Sequence, residues 1–266
     1  MDFTYRTELI IGKESILKLQ DAHVAIFGVG GVGGAALETL ARAGVGHFTL
    51  VDNDIVTRSN FNRQLLTNEQ TYSKLKVEAG KERVLSINPH SEVEVYPLFY
   101  LPETQDQIDF SKFDYVIDAL DTVTAKILII RNAYAKHIPV ISAMGSGNRL
   151  DPSKVTLTDL SNTRDDPLAR AVRKGLKKYG IIHVPVVCST ELPFFPYLDE
   201  ENQKQEENKE YTFSNKKHVP GSSPFVPLEA GNLIAYKVMM DITGFDAEKK
   251  KKAQMLVKEK RHLKQE

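Results

Sequence analysis

The sequence predicts an α/β fold: a doubly wound, mainly parallel Rossmann-like sheet with a C-terminal extension that carries a basic helix. Three observations predict it. A glycine-rich turn, Gly28-Val29-Gly30-Gly31-Val32-Gly33, follows the apolar run His23–Phe27 and opens a helical pattern. Short apolar runs then alternate with amphipathic stretches as far as Ala143. An acid, Asp52, closes the second of those runs.

His23–Phe27 reads as a buried parallel strand because it is short and almost wholly apolar. Ala35, Leu37, Leu40, Ala41 and Ala43 support a helix after the turn, and Gly44 and Gly46 close it. His47–Val51 is the second strand. Lys74–Ile87 has helical periodicity (Leu75, Val77, Ala79, Val84, Leu85) and stops before Pro89. Val93–Leu98 and Tyr115–Ala119 are the third and fourth strands, Ala125–Ala135 is an apolar helix, and Pro139–Ala143 is the fifth strand. Right-handed crossovers then put the carboxyl ends of the strands on one edge, where ligands of such folds bind.

From about Asn148 the pattern changes. Two strand-like runs, Val155–Leu160 and His183–Val187, flank a basic helical segment. Asp199–His218 is rich in lysine and glutamate, lacks periodicity, and reads as a mobile loop. A turn-rich segment (Pro220–Pro227), a helix (Leu228–Ile242) and a charged tail follow. The organisation expected is a nucleotide-binding region over 1–147 and a substrate-binding region over 148–266, in one integrated domain.

At 266 residues the chain has room for one large α/β domain, or two small ones at roughly 150 residues each. Lys plus Arg and Asp plus Glu both number 35, so any polyanion must be met by a local basic face and not by the global field. Met1–Arg6 has no apolar signal core, and no run approaches the ~18 apolar residues of a spanning helix, so the expectation is a cytoplasmic protein off the membrane. The one cysteine excludes an intramolecular disulfide and a zinc site built on cysteine pairs. It stands in the apolar run Val186-Val187-Cys188, which favours an inert buried thiol.

Gly28, Gly30, Gly31 and Gly33 lie where strand, turn and helix meet, so backbone N–H groups and the helix dipole face a phosphate. Asp52 is placed to accept ribose hydroxyls. These features suit a nicotinamide dehydrogenase as well as an ATP enzyme. Asn60, Arg63, Gln64 and Lys76 discriminate, because a triphosphate with a leaving pyrophosphate needs cations and amides that a dinucleotide does not. Asp121 ends the fourth strand, where a carboxylate holds Mg²⁺; its plainer reading is an N-cap of the next helix. Lys76 has a plainer reading too, as a solvated helix lysine. The order of all these residues along one sheet edge favours the nucleotide reading.

Arg170, Arg173, Lys174, Lys177 and Lys178 recur at i, i+3, i+4, i+7 and i+8, one face of a helix, with Leu168, Val172, Leu176 and Tyr179 opposite. A solvated face is the ordinary reading of such a stripe. Here every charge on it is positive in a chain of zero net charge, which favours phosphate contact, with Arg164 and Arg149 as extensions.

Gly28-x-Gly30-Gly31-x-Gly33, Asp52-Asn53-Asp54, Asn60-x-x-Arg63-Gln64, Lys76 and Asp121 together resemble the ubiquitin-activating-enzyme-like (ThiF/MoeB-type) adenylating superfamily. Arg6–Gly12, Met144–Pro152, Asp166–Ala169, Val187–Glu191 and Gly221–Pro227 extend the likeness to its tRNA threonylcarbamoyladenosine dehydratase branch, over most of the chain to about Gly244. The resemblance implies ATP with Mg²⁺, a tRNA carrying threonylcarbamoyladenosine as substrate, and adenylation of a carboxylate followed by ring closure. Catalytic roles would fall to Arg63, Lys76 and Asp121, and nucleotide contacts also to Asp54. It implies a homodimer in which Arg6, on a short arm before the first strand, reaches the partner's ATP, and it leaves room for a sulfur-relay partner protein. The alternative within the superfamily is an adenylyltransferase for a sulfur-carrier or ubiquitin-like protein.

Overall fold

The computed structural model describes residues 2–195, 197, 220–252 and 255, so the Asp199–His218 insert lies outside the described residues. Seven strands form one sheet: β1 (His23–Phe27), β2 (His47–Val51), β3 (Glu92–Tyr96), β4 (Tyr115–Asp118), β5 (Val140–Ala143), β6 (Val155–Asp159) and β7 (Pro185–Ser189). Their order is β3-β2-β1-β4-β5-β7-β6. Every pairing is parallel except β6 with β7. The helices are α1 (Tyr5–Ile11), α2 (Lys13–Asp21), α3 (Gly31–Ala43), α4 (Lys76–Ile87), α5 (Val123–Ala135), α6 (Pro167–Lys177) and α7 (Phe225–Thr243). None of the described helices is long and apolar enough to cross a membrane.

The α/β reading agrees with this architecture, and the central apolar runs became central strands. β4 and β5 are buried at every residue, as parallel strands covered on both faces must be. The edge strand β3 keeps Glu92 and Glu94 exposed, which blunts a free edge with charge. The chain reverses direction across the sheet at β1, with β2 on one side and β4 on the other. That switch point opens a crevice at the carboxyl ends of β1 and β4.

The sheet separates two cores. One holds Leu19, Val24, Ile26, Leu37, Leu40 and Ile234 beneath α2, α3 and α7. The other holds Phe27, Tyr100, Phe110 and Phe113 with α5 and α6, and the Phe27 and Tyr100 rings meet edge-on at 4.8 Å. Close helix packing depends on missing side chains. A Cβ at Gly231 would lie 2.5 Å from Ala35 Cβ, so α7 crosses α3 at backbone distance. A Cβ at Gly175 would lie 2.1 Å from Ile127 Cδ1, so the Ile127 side chain of α5 packs into the space α6 leaves there.

The N-terminus differs from expectation. Residues before β1 form α1 and α2, not an arm: Ile11 closes α1, and Ile16 and Leu19, three apart on one face of α2, are buried with it in the first core. Gly12, at φ 89°, turns the chain between the two helices. Other departures are at boundaries: β7 starts at Pro185, and α7 extends from Phe225 to Thr243. β6, β7 and α7 all come from beyond residue 148, yet they extend the same sheet and cover the same core as the first half.

Candidate nucleotide and substrate cleft

The crevice at the switch point is a cleft of ≈ 920 Å³. Of the residues assigned to nucleotide binding from sequence, Gly28, Gly30, Gly31, Asp52, Asp54, Asn60, Arg63, Gln64, Lys76 and Asp121 all line it. Gly33 and Arg6 do not.

Gly33 acts one layer below. A Cβ there would lie 1.8 Å from the Gly28 carbonyl oxygen, so its absence lets α3 begin directly against the turn. Gly28, at φ 92°, is the turn's left-handed residue, and a Cβ on it would strike the Ala119 carbonyl oxygen at 2.7 Å. The two strand ends, β1 and β4, are therefore in backbone contact under the cleft floor. α3 has no side-chain cap at Gly30, which leaves its first N–H groups for a ligand.

Asp52 is buried, and its carboxylate accepts the Val29 N–H at 2.7 Å and the Asp54 N–H at 2.8 Å. It thus holds the glycine turn as well as facing the cleft. Burial pushes its carboxyl pKa up, against the nearby Lys76 ammonium, which acts to lower it. Lys76 is buried, not a solvated helix lysine, and its Nζ lies 2.6 Å from Asp54 Oδ2. Asn60 is also buried; its Oδ1 accepts the Thr57 N–H and closes the turn Arg58–Asn60 that leads into Arg63 and Gln64. Arg63 donates to the Ser59 carbonyl and to Asn62 Oδ1. Gln64 Oε1 is the buried side-chain oxygen without a hydrogen-bond partner among the described residues. An acceptor left open in a buried place, beside Gly30, is what a ligand's hydroxyl or amine would satisfy.

Asp121 is exposed at the rim, one residue before Thr122, the cap position of α5. The N-cap reading therefore passes to Thr122, whose side chain makes no capping bond. Arg6 sits on α1 with its side chain exposed and outside this chain's own cleft.

The opposite wall comes from segments whose roles the motifs did not disclose: Met144–Arg149, Asp166–Leu168 and Pro220–Ser222. Asn148, at φ 58°, joins the first of them to the last and to Phe194. Its N–H donates to the Gly221 carbonyl, its Oδ1 accepts the Gly221 N–H at 2.6 Å, and its carbonyl accepts the Phe194 N–H at 2.7 Å. Arg149 is buried rather than part of a basic face, because its guanidinium donates to the Gly145, Glu191 and Asp165 carbonyls and lies 3.6 Å from Asp166 Oδ2. Asp166 in turn accepts the Gly145 N–H and caps α6 through the Ala169 N–H. The Asp166-Pro167 pair was the available signal, since an acid followed by proline marks a helix start.

The basic stripe on α6 is also narrower than expected. Arg170, Lys174, Lys177 and Lys178 are exposed, while Val172 and Leu176 are buried. Arg173 is half-buried, and its guanidinium is bound to the Leu160 carbonyl, the Thr163 carbonyl and Thr163 Oγ1. Tyr179 lies past the helix end, exposed, with Arg131 over its ring at 4.2 Å.

Cys188 is buried in β7, and burial, with Asp166 nearby, pushes its thiol pKa up against the pull of Arg149. A thiol kept protonated is a poor nucleophile. Cys188→Ser is accordingly expected to retain most activity, within about threefold, at a small cost in melting temperature from burying a hydroxyl. Loss of ring closure with adenylation intact would instead reveal a thioester step.

A ThiF family model matches residues 5–255. The chain is 42% identical over 238 residues to a tRNA threonylcarbamoyladenosine dehydratase of Bacillus subtilis, a match that covers 89% of this chain and 93% of the relative. Among solved structures, the E. coli tRNA N6-threonylcarbamoyladenosine dehydratase TcdA in complex with AMP is similar with a TM-score of 0.79 at 30% identity, covering 90% of this chain and 93% of that one. The same protein in complex with ATP gives 0.77 at 29% identity, covering 91% and 93%.

Proposed function

Because this chain belongs to the ThiF family, we propose that it dehydrates N6-threonylcarbamoyladenosine in tRNA, driven by ATP, through an acyl-adenylate. One observation carries the reading. The glycine turn, Asp52, Asn60, Arg63, Gln64, Lys76 and Asp121 converge on one cleft of ≈ 920 Å³ that other segments also line, which leaves room for a second substrate beside a nucleotide.

The threonyl carboxylate attacks the α-phosphorus of ATP, and pyrophosphate leaves. Arg63 and Lys76 meet the charge that accumulates on the phosphates, with the glycine turn holding them through backbone N–H groups. An atom of the carbamoyl group then attacks the activated carbonyl carbon and expels AMP, closing a ring with net loss of water. The attacking group is tethered, and intramolecular effective molarities reach about 10⁵–10⁸ M, so no protein nucleophile is needed. A Mg²⁺ would be held by Asp121 with phosphate oxygens and water. Asp121 is an exposed carboxylate lining the cleft with Arg63 and Lys76, the oxygen-donor chemistry that suits Mg²⁺. When bound, the ion supplies positive charge to the leaving pyrophosphate.

The exposed α6 cations are the tRNA face, and the expected location is cytoplasmic, with no membrane contact. Incubation of the protein with ATP, Mg²⁺ and tRNA carrying the modified base, followed by nucleoside mass spectrometry, tests the reading. Loss of one water from the nucleoside supports it. Pyrophosphate exchange that requires a Gly-Gly-ended protein instead of RNA would favour the sulfur-carrier alternative, and with it a sulfur-relay partner.

The active form proposed is a homodimer with composite sites. Arg6 is exposed on α1 beside Leu9 and Ile10, which are 60% and 63% exposed, a placement suited to reaching a second copy. Mixing Arg6→Ala with Asp121→Ala protein is expected to restore activity toward a quarter of wild type, the share of sites that random pairing completes. No recovery despite confirmed subunit exchange would rule out action in trans.

A further inference from the structure

Behind the cleft, and outside its lining, lies a charged cluster that the proposed chemistry does not use. Asp118, the last residue of β4, Lys126 of α5 and Ser142 of β5 are all 0% exposed. Lys126 Nζ lies 3.0 Å from Asp118 Oδ2 and 3.3 Å from Ser142 Oγ, and the Ser142 hydroxyl donates to the same Asp118 oxygen at 2.5 Å. The other oxygen, Asp118 Oδ1, accepts the Leu120 N–H at 3.3 Å. Burying such an ion pair commonly stabilises no more than apolar packing of equal volume would. Its worth must therefore be sought in the geometry it holds.

Three elements meet at this carboxylate. The Leu120 bond fixes the backbone turn that leads from β4 to Asp121. That turn rests on the glycine turn, because the Ala119 N–H donates to the Phe27 carbonyl at 2.7 Å and the Ala119 carbonyl occupies the space a Gly28 Cβ would need. Ser142 ties in β5, which runs directly into the Met144–Arg149 wall. Lys126 ties in α5.

We propose that Asp118 is a positioning residue whose fully bonded carboxylate, clasped by Lys126 and Ser142, sets the Asp121 turn against both the glycine turn and the opposite cleft wall. The inference rests on the proposed adenylation reading, since it assigns Asp118 a place behind that site. Displacing reacting groups by about 1 Å costs roughly 10²-fold in rate, so loosening this turn slows chemistry without touching the groups that bind ATP.

Two neutral double variants separate geometry from packing and from charge. Asp118→Val/Lys126→Met removes every bond of the clasp without leaving a buried charge unpaired. Asp118→Asn/Lys126→Met keeps an acceptor for the Leu120 N–H and a donor for Ser142 Oγ. The first is expected to lower kcat roughly 10–100-fold with the KM for ATP within about threefold. The second should recover most of that rate. Equal wild-type rates in the first variant, a loss confined to KM, or equally slow rates in both variants would each overturn the proposal. If the valine variant does not fold, Ser142→Ala serves: kcat about threefold lower at unchanged KM supports the clasp, and unchanged kcat overturns it. An inactive wild type would count against the functional reading, whereas an active wild type matched by an active valine variant would count against this inference alone.

Discussion

Asp121→Ala is expected to lower ATP-dependent turnover about 10²–10³-fold, the usual loss when one stabiliser of developing charge is removed. The fold should be unaffected. Asp121 is exposed at the cleft rim, and a hydrogen bond such as the one it accepts from the Thr122 hydroxyl contributes about 1 kcal/mol, a loss the fold tolerates. The loss should appear in kcat for pyrophosphate release. Asp52, Lys76 and Gln64 are buried elsewhere in the cleft and remain to bind the nucleotide, so ATP should still raise the melting temperature. Unchanged pyrophosphate release by the folded variant would remove Asp121 from the reaction.

Reversing Arg170, Lys174 and Lys177 to glutamate is expected to weaken tRNA binding steeply while ATP affinity is unchanged, because α6 presents these three to solvent. Arg173 is left intact. Its guanidinium satisfies the Leu160 and Thr163 carbonyls, so reversing it would unfold local structure and imitate a binding defect. For every phosphate that is no longer neutralised, the slope of log K against log salt falls by about 0.9 units. Raising salt from about 50 to about 200 mM should then cost the wild type ~40-fold more affinity than the variant. A modest drop in melting temperature is expected from acids in the last turns of α6, about 0.3–1 kcal/mol each at low salt. Equal salt slopes would make the α6 face merely solvated.

Most of the fold was legible because parallel strands covered on both faces need continuous apolar sequence. β1, β4 and β5 show this directly, and Gly28–Gly33 marks where the first crossover starts. What failed was the N-terminus. Its helices are short and amphipathic, with Leu9, Ile10 and Leu17 exposed beside buried Ile11, Ile16 and Leu19, so the apolar pattern points two ways at once.

By itself the sequence determined the α/β class, the chain order of the elements from β1 to β5 and the glycine-turn, Asp52 and Asn60–Gln64 part of the cleft lining. Those features are local: a glycine turn, an acid at a strand end and an amide–arginine run each act within a few residues of where they are written. Tertiary structure alone decided the rest. Arg149 and Arg173 look like surface cations in a one-dimensional charge count, yet they are bound by carbonyl groups of loops brought to them from elsewhere in the chain. Asn148 joins Phe194 to Gly221, and Asp118 gathers Lys126 and Ser142 across two strands and a helix. A buried polar group must find its partners wherever the fold brings them, and no spacing along the chain records where that is.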